Sequence, residues 1–217
     1  MDAAVRYIRL HELGDGADPA RYGERGARLA RLAGLGLPVP RGVLLPVDTV
    51  AEIAARGAEA VMAEEARARF ARLGADGLLS LRASPAETAW GGPEALLNIG
   101  ITDDRLPALV ARVGERGALV LYVRLLQGFG QIVRGMDPED FENLVFDHVK
   151  YSGAASEADL EPPALRALVA DAKALIAEDT DDPFPQDPVT QLCAAVDAMV
   201  RGWNAPSARI LRTSKGA

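Results

Sequence analysis

The stretch YGERGA at residues 22–27 sets Arg25 between two glycines, directly ahead of an apolar helical pattern. A helix start offers unpaired N–H groups and a partial positive charge, both suited to an anion. Gly23 and Gly26 would let backbone approach a ligand closely, and Arg25 adds a full charge. The spacing is not the G-x-x-x-x-G-K-[ST] of a P-loop, so the chemistry it predicts is a phosphate-facing turn of another kind. The plainer alternative is a glycine-bounded helix start that carries a solvated arginine.

Arg82 is the second candidate. It closes the apolar run LLSLR (78–82), and ligands gather at strand ends in α/β sheets. The alternative is again a solvated strand-end arginine. The loop that follows (83–95) contains Gly91 and Gly92, whose backbone N–H groups would suit an anion, and Glu94. Trp90 in the same loop reads as a packing residue.

Other polar groups read as structural. Asp181, Asp182 and Asp187 sit among prolines, and Asp187 is placed to cap a helix that has Pro188 at its first position. No metal site is expected from them. Asn98 reads as a side chain that hydrogen-bonds a turn. Cys193, the single cysteine, excludes an internal disulfide and a zinc site built on several thiolates; it falls on an amphipathic pattern and reads as a packed thiol. His11 and His148 are far apart, with no ligand spacing around them.

The elements that must position these groups can be read from periodicity. VRYIRL (5–10) alternates like a short strand, and VLLPV (43–47) is a strand that Pro46 restricts to an edge or an end. Residues 25–36 read as a helix closing on Gly34 and Gly36. Residues 49–73 read as one or two helices with an interruption at Gly57, and LLSLR follows a DG turn as a strand. From residue 105 to 178 apolar residues recur at helical spacing (Leu106, Leu109, Val110, Val113 among them), so this range is expected to be a mainly helical insert. In the insert, Tyr122, Arg124, Gln127 and Gly130 share one helical stretch, and Gly130 reads as a point of tight helix packing. After the acidic, proline-rich link at 178–188 comes a further helix, and ARILR (208–212) is expected to begin another strand.

Composition bounds the function. Across 217 residues, 49% hydrophobic content is ample for a core, and the net charge of −7 argues against a general nucleic-acid or anionic-membrane surface. The N-terminal MDAAVRYIRLHEL has no long apolar run, so neither a signal peptide nor a membrane anchor is expected, and a cytoplasmic chain is the simplest reading.

Several stretches in one order resemble the N-terminal nucleotide-binding region of pyruvate phosphate dikinase. They are YGERGARLARLAGLGLPVPRG (22–42), LLSLRAS (78–84), ALLNIGITDD (95–104), YVRLLQGFGQIVRGM (122–136) and FPQDPVTQLCAAVDAMVRGWNAPSAR (184–209). The resemblance implies an α+β fold: the α/β first lobe of an ATP-grasp-type domain, formed by residues 1–104 and 184–217, with 105–183 as a helical insert. It implies that Arg25 stands where the family has a lysine reaching ATP phosphates, and that Arg82 matches an arginine that contacts nucleotide phosphate. Gly91 matches the glycine of a lid loop over the phosphates, with Gly92 beside it, and Glu94 sits where the family has an aspartate. Trp90 and Pro93 depart from that loop. The resemblance also implies that the helical stretch holding Tyr122, Arg124, Gln127 and Gly130 is scaffold.

The same resemblance implies that the second nucleotide lobe with its metal-binding acids, the phosphohistidine domain and the pyruvate barrel are not in this chain. The expected cofactor is ATP, weakly held, with magnesium only in its company. Two functions follow. One is a portion of a phosphotransferase, inactive alone and completed by a partner polypeptide; the other is a non-enzymatic regulatory or partner-binding relative. The face left uncovered, if apolar, would favour self-association or a partner.

Overall fold

The computed structural model describes residues 8–14, 17–87 and 93–215. The chain is α+β: ten α-helices and two small antiparallel sheets among the described residues. It divides into two compact units, one containing residues 1–62, 82–94 and 197–217, the other 63–81 and 95–196.

In the first unit, β1 (Ile8–Arg9) pairs antiparallel with β2 (Val43–Leu44), Ile8 opposite Leu44. Only the end of the expected strand at 5–10 is therefore seen: residues 5–7 lie outside the described residues, and Leu10 opens the one-turn helix α1 (Leu10–Leu13). Helix α2 (Pro19–Gly34) starts where Asp18 accepts the Ala20 N–H at 2.9 Å, with Pro19 pre-set for the first turn. It ends as expected at Gly34, and Gly36 takes a left-handed φ of 74° that lets the chain turn away.

Pro46 both ends β2 and precedes α3 (Val47–Arg56). Gly57, at φ 84°, separates α3 from α4 (Ala58–Leu73), which is the expected interruption. Asp197 of α9 (Pro188–Asn204) accepts the Ala58 N–H at 2.8 Å and so satisfies a donor at the start of α4.

Residues 208–212 correct the sequence reading. They are not a strand but part of helix α10 (Pro206–Ser214), with Ala205 extended (φ −57°, ψ 143°) and Pro206 at the first helical position. Pro206 was the signal, since proline favours that site. The five-residue alternation was too short to distinguish strand from helix. The Arg212 guanidinium stacks over the Trp203 ring at 4.0 Å, closing α10 back on the end of α9.

The second unit holds the other sheet, β3 (Leu79–Leu81) against β4 (Leu96–Ile99), Leu79 opposite Ile99, with an irregularity before the Leu81–Leu96 pair. Its helices are α5 (Leu106–Val113), α6 (Glu115–Gly128), α7 (Pro138–Ser152) and α8 (Pro162–Thr180), and the range 105–178 is helical as expected. Helix α6 continues into a π-helical stretch, Phe129–Arg134, that no periodicity announced. The core is built on α6 and α8, where Leu119, Leu125 and Leu126 face a unit that also buries Leu165, Leu168 and Ile176. Each leucine so buried contributes about 2 kcal/mol over remaining exposed.

Several expected structural roles hold. Asp187 caps α9, accepting the Thr190 N–H at 2.8 Å. Asn98 is structural, though its partner is a helix and not a turn: it adopts φ 63° and donates to the Leu121 carbonyl at 3.2 Å, which ties β4 to α6. Gly130 is a packing point: a Cβ there would lie 2.5 Å from the Phe141 ring. Cys193 is buried. Among the described residues no helix is long and apolar enough to cross a membrane.

Candidate functional site

The candidate site lies in the first unit, where a broken helix meets the segment after β3. Helix α2 is interrupted at Gly23, whose φ of 75° and ψ of 158° are outside helical space. A straight helix restarts at Glu24 and carries Arg25 in its first turn. The glycine is required twice: its φ is left-handed, and a Cβ would overlap the Ser84 carbonyl oxygen.

That close approach places residues 84–85 against the helix start. The Glu24 N–H donates to the Pro85 carbonyl at 2.8 Å. The Gly26 N–H donates to Ser84 Oγ at 2.9 Å, and Ser84 Oγ donates to the Tyr22 carbonyl at 3.0 Å. In an unbroken helix the Gly26 N–H would meet Tyr22 C=O directly. Here one serine hydroxyl is spliced between them. Gly26 also lets the helix lie close to β2, since a Cβ there would meet both Leu44 methyls at 3.0 Å.

Sequence reasoning missed Ser84. The signal available was its place two residues after Arg82, facing a glycine pair that needed a close neighbour.

Arg82 is the first residue after β3, and Arg25 is flanked by the two residues whose amides bond Ser84 and Pro85. The splice therefore brings together the two backbone segments that carry the predicted arginines. Both arginines are exposed, and neither makes an ion pair or hydrogen bond with another described residue. Nearby charges are engaged elsewhere: Arg28 pairs with Glu24, and Arg21 approaches Asp48 at 3.9 Å.

Glu94 is exposed and neither hydrogen-bonds nor ion-pairs with either arginine. Its neighbour Pro93 packs beside Gly202 of α9, where a Cβ would be 3.6 Å away. Gly91, Gly92 and Trp90 lie outside the described residues.

The donor set suits an anion of several oxygens. A guanidinium presents planar N–H forks that match phosphate, and an exposed, unpaired one has its donors available. The helix-start amides of Glu24 and Gly26 do not, because Pro85 and Ser84 already hold them. Among the described residues no three His, Cys, Asp or Glu side chains converge to hold a metal ion.

The second unit contains a polar cluster around Tyr122. Tyr122 is buried; its hydroxyl donates to Asp103 at 2.9 Å and accepts from Gln186 at 3.2 Å. Lys173 Nζ bonds both Asp103 oxygens, at 2.9 and 2.8 Å. Burial, first, and the Asp103 charge push the Tyr122 phenol well above its ordinary range, against the opposing Gln186 bond. Gln191, also buried, accepts the Gly100 N–H and donates to the Ile101 and Pro185 carbonyls. The Tyr122, Asp103 and Lys173 side chains bond one another, and Gln191 is engaged by backbone groups.

The class defined so far is an α+β chain in which a glycine-broken helix start meets the segment after Arg82, with two exposed arginines that have no partner among the described residues. No protein-family model matches it. Curated proteins do. It is 33% identical over 201 residues to pyruvate, phosphate dikinase 1, chloroplastic, of Oryza sativa subsp. japonica, a match to 86% of this chain and 21% of that protein. It is 30% identical over 217 residues to the pyruvate, phosphate dikinase of Rhizobium meliloti (strain 1021), covering 94% of this chain and 24% of that protein. The corresponding figures for pyruvate, phosphate dikinase 1, chloroplastic, of Zea mays are 31% over 205 residues, 88% and 22%. The chain is thus a relative of the pyruvate phosphate dikinases, as its motifs indicated. It spans 21–24% of the length of these three curated relatives.

Proposed function

We propose that this chain is a nucleotide-binding portion of a dikinase-type phosphotransferase and that Arg25 and Arg82 hold the phosphate groups of ATP. One observation carries the reading: the Ser84–Pro85 splice joins the segments of two exposed arginines that have no partner among the described residues. Similarity to dikinases along most of the chain supports it. In this reading residues 1–104 and 184–217 form the first nucleotide lobe, with 105–183 as its helical insert.

Phosphoryl transfer is largely positioning and charge neutralisation. The two guanidinium groups would orient the phosphate chain and offset part of its charge; magnesium, held through phosphate oxygens, would neutralise the rest. Both arginines are exposed to a high dielectric, where two charges about 4 Å apart attract by only about 1 kcal/mol. The chain alone is therefore expected to bind ATP weakly and not to transfer its phosphate, with a partner polypeptide supplying the remaining groups.

Titration calorimetry with Mg-ATP and with metal-free ATP tests this. The expected Kd is on the order of millimolar. Arg25→Ala and Arg82→Ala should each weaken it by roughly tenfold, the scale of one charge-assisted hydrogen bond. Binding that neither substitution changes, or no heat at all, would overturn the assignment.

A further inference from the structure

We infer that Ser84 is a positioning residue that sets the spacing of Arg25 and Arg82, so that phosphate is taken by two guanidinium forks rather than by helix-start amides. The inference rests on the phosphate-binding reading above and adds to it the group that organises the site and the mode of recognition.

The argument is one of hydrogen-bond accounting. A helix restarting at Glu24 presents free N–H groups in its first turn, and such groups ordinarily invite an anion. Two of them are occupied, Glu24 N–H by the Pro85 carbonyl at 2.8 Å and Gly26 N–H by Ser84 Oγ at 2.9 Å. An anion cannot use those donors without displacing the protein's own chain. Displacement is opposed by packing, because the Ser84 backbone lies against Gly23 where no Cβ could fit. The amides therefore serve to hold the 84–85 segment.

What that segment carries is Arg82, two residues upstream of Ser84. The Ser84 hydroxyl is both acceptor (from Gly26) and donor (to Tyr22, at 3.0 Å), so it spans the break at Gly23 and joins three stretches of backbone through one oxygen. Removing it leaves Tyr22 C=O and Gly26 N–H without this bridge, and the Glu24–Pro85 bond alone then ties the segment carrying Arg82 to the helix. A guanidinium site depends on such support, since planar forks bind a phosphate only when held at a matching separation.

Two measurements on the full chain test the inference. In the first, spin labels at Arg25→Cys and Arg82→Cys report the distance between the two positions; buried Cys193 is left in place. One narrow distance is expected in the parent, a broadened distribution with Ser84→Ala, and a narrow one again with Ser84→Thr, which keeps the hydroxyl.

In the second, tripolyphosphate is titrated into the unlabelled parent chain, the Ser84 variants and an Arg82→Ala background. Ser84→Ala should weaken binding about tenfold, Ser84→Thr should restore it, and Ser84→Ala should add nothing in an Arg82→Ala background. A distance distribution unaffected by Ser84→Ala overturns the positioning role, and so does equal affinity for tripolyphosphate with and without the hydroxyl. A distribution that broadens while the parent chain binds no tripolyphosphate overturns the phosphate reading instead.

Discussion

Arg25 occupies a position that, by resemblance to the dikinases, would hold a lysine. The difference has a measurable consequence. A guanidinium offers a rigid fork of N–H donors, an ammonium a compact point charge. If the fork is the recognition element, Arg25→Lys should weaken Mg-ATP binding about threefold, between the parent and Arg25→Ala, when the three are compared by calorimetry. Equal affinity for the lysine variant would show that charge alone suffices.

Tyr122 offers a second test at the scale of a single group. Its phenol is held neutral in the folded chain by burial, reinforced by the Asp103 charge, above the ordinary value of 10.0. The associated stabilisation is complete below that ordinary value, where the unfolded chain's tyrosine is neutral too. It is lost as pH rises from there through the folded value, because the unfolded chain releases the proton first. Urea midpoints from pH 8 to 11 should therefore fall more steeply in the parent than in Tyr122→Phe. At pH 7 the variant should lose about 1 kcal/mol, the net contribution of a hydrogen bond to a partly exposed acceptor.

Elements show where sequence was informative and where it was not. Local signals held: Asp187 ahead of Pro188 does cap α9, and Gly57 does separate α3 from α4. Asp187→Ala should cost about 1 kcal/mol in thermal or urea unfolding. Gly130, read as a packing point, meets Phe141 so closely that Gly130→Ala should destabilise the second unit by about 1–3 kcal/mol.

Features set by distant pairing were hidden. β4 exists because residues 96–99 meet β3, with Ile99 opposite Leu79 and Leu96 opposite Leu81, and its short stretch carries no alternation of its own. Residues 208–212 look the same as strand or helix until Pro206 is weighed. Residue type, spacing and resemblance single out Arg25 and Arg82 as candidates but not Ser84, because its contacts are a pair of hydrogen bonds to backbone 58 and 62 residues away. The π-helical stretch at Phe129–Arg134 likewise has no periodic signature.

At the scale of the whole chain, the described residues form two compact units, and the candidate arginines belong to the one built around α2 and β2. The second unit's polar groups, Tyr122 with Asp103 and Gln191 with its three backbone partners, are committed to holding it together. The most direct test is photolabelling of the chain with ATP bearing an azidophenyl group on its γ-phosphate, followed by peptide mapping. The account predicts label within residues 19–34 and 79–94, suppressed by excess tripolyphosphate and by the Arg25→Ala/Arg82→Ala double variant. Label confined to the helices of the second unit, or unaffected by the double variant, would contradict it.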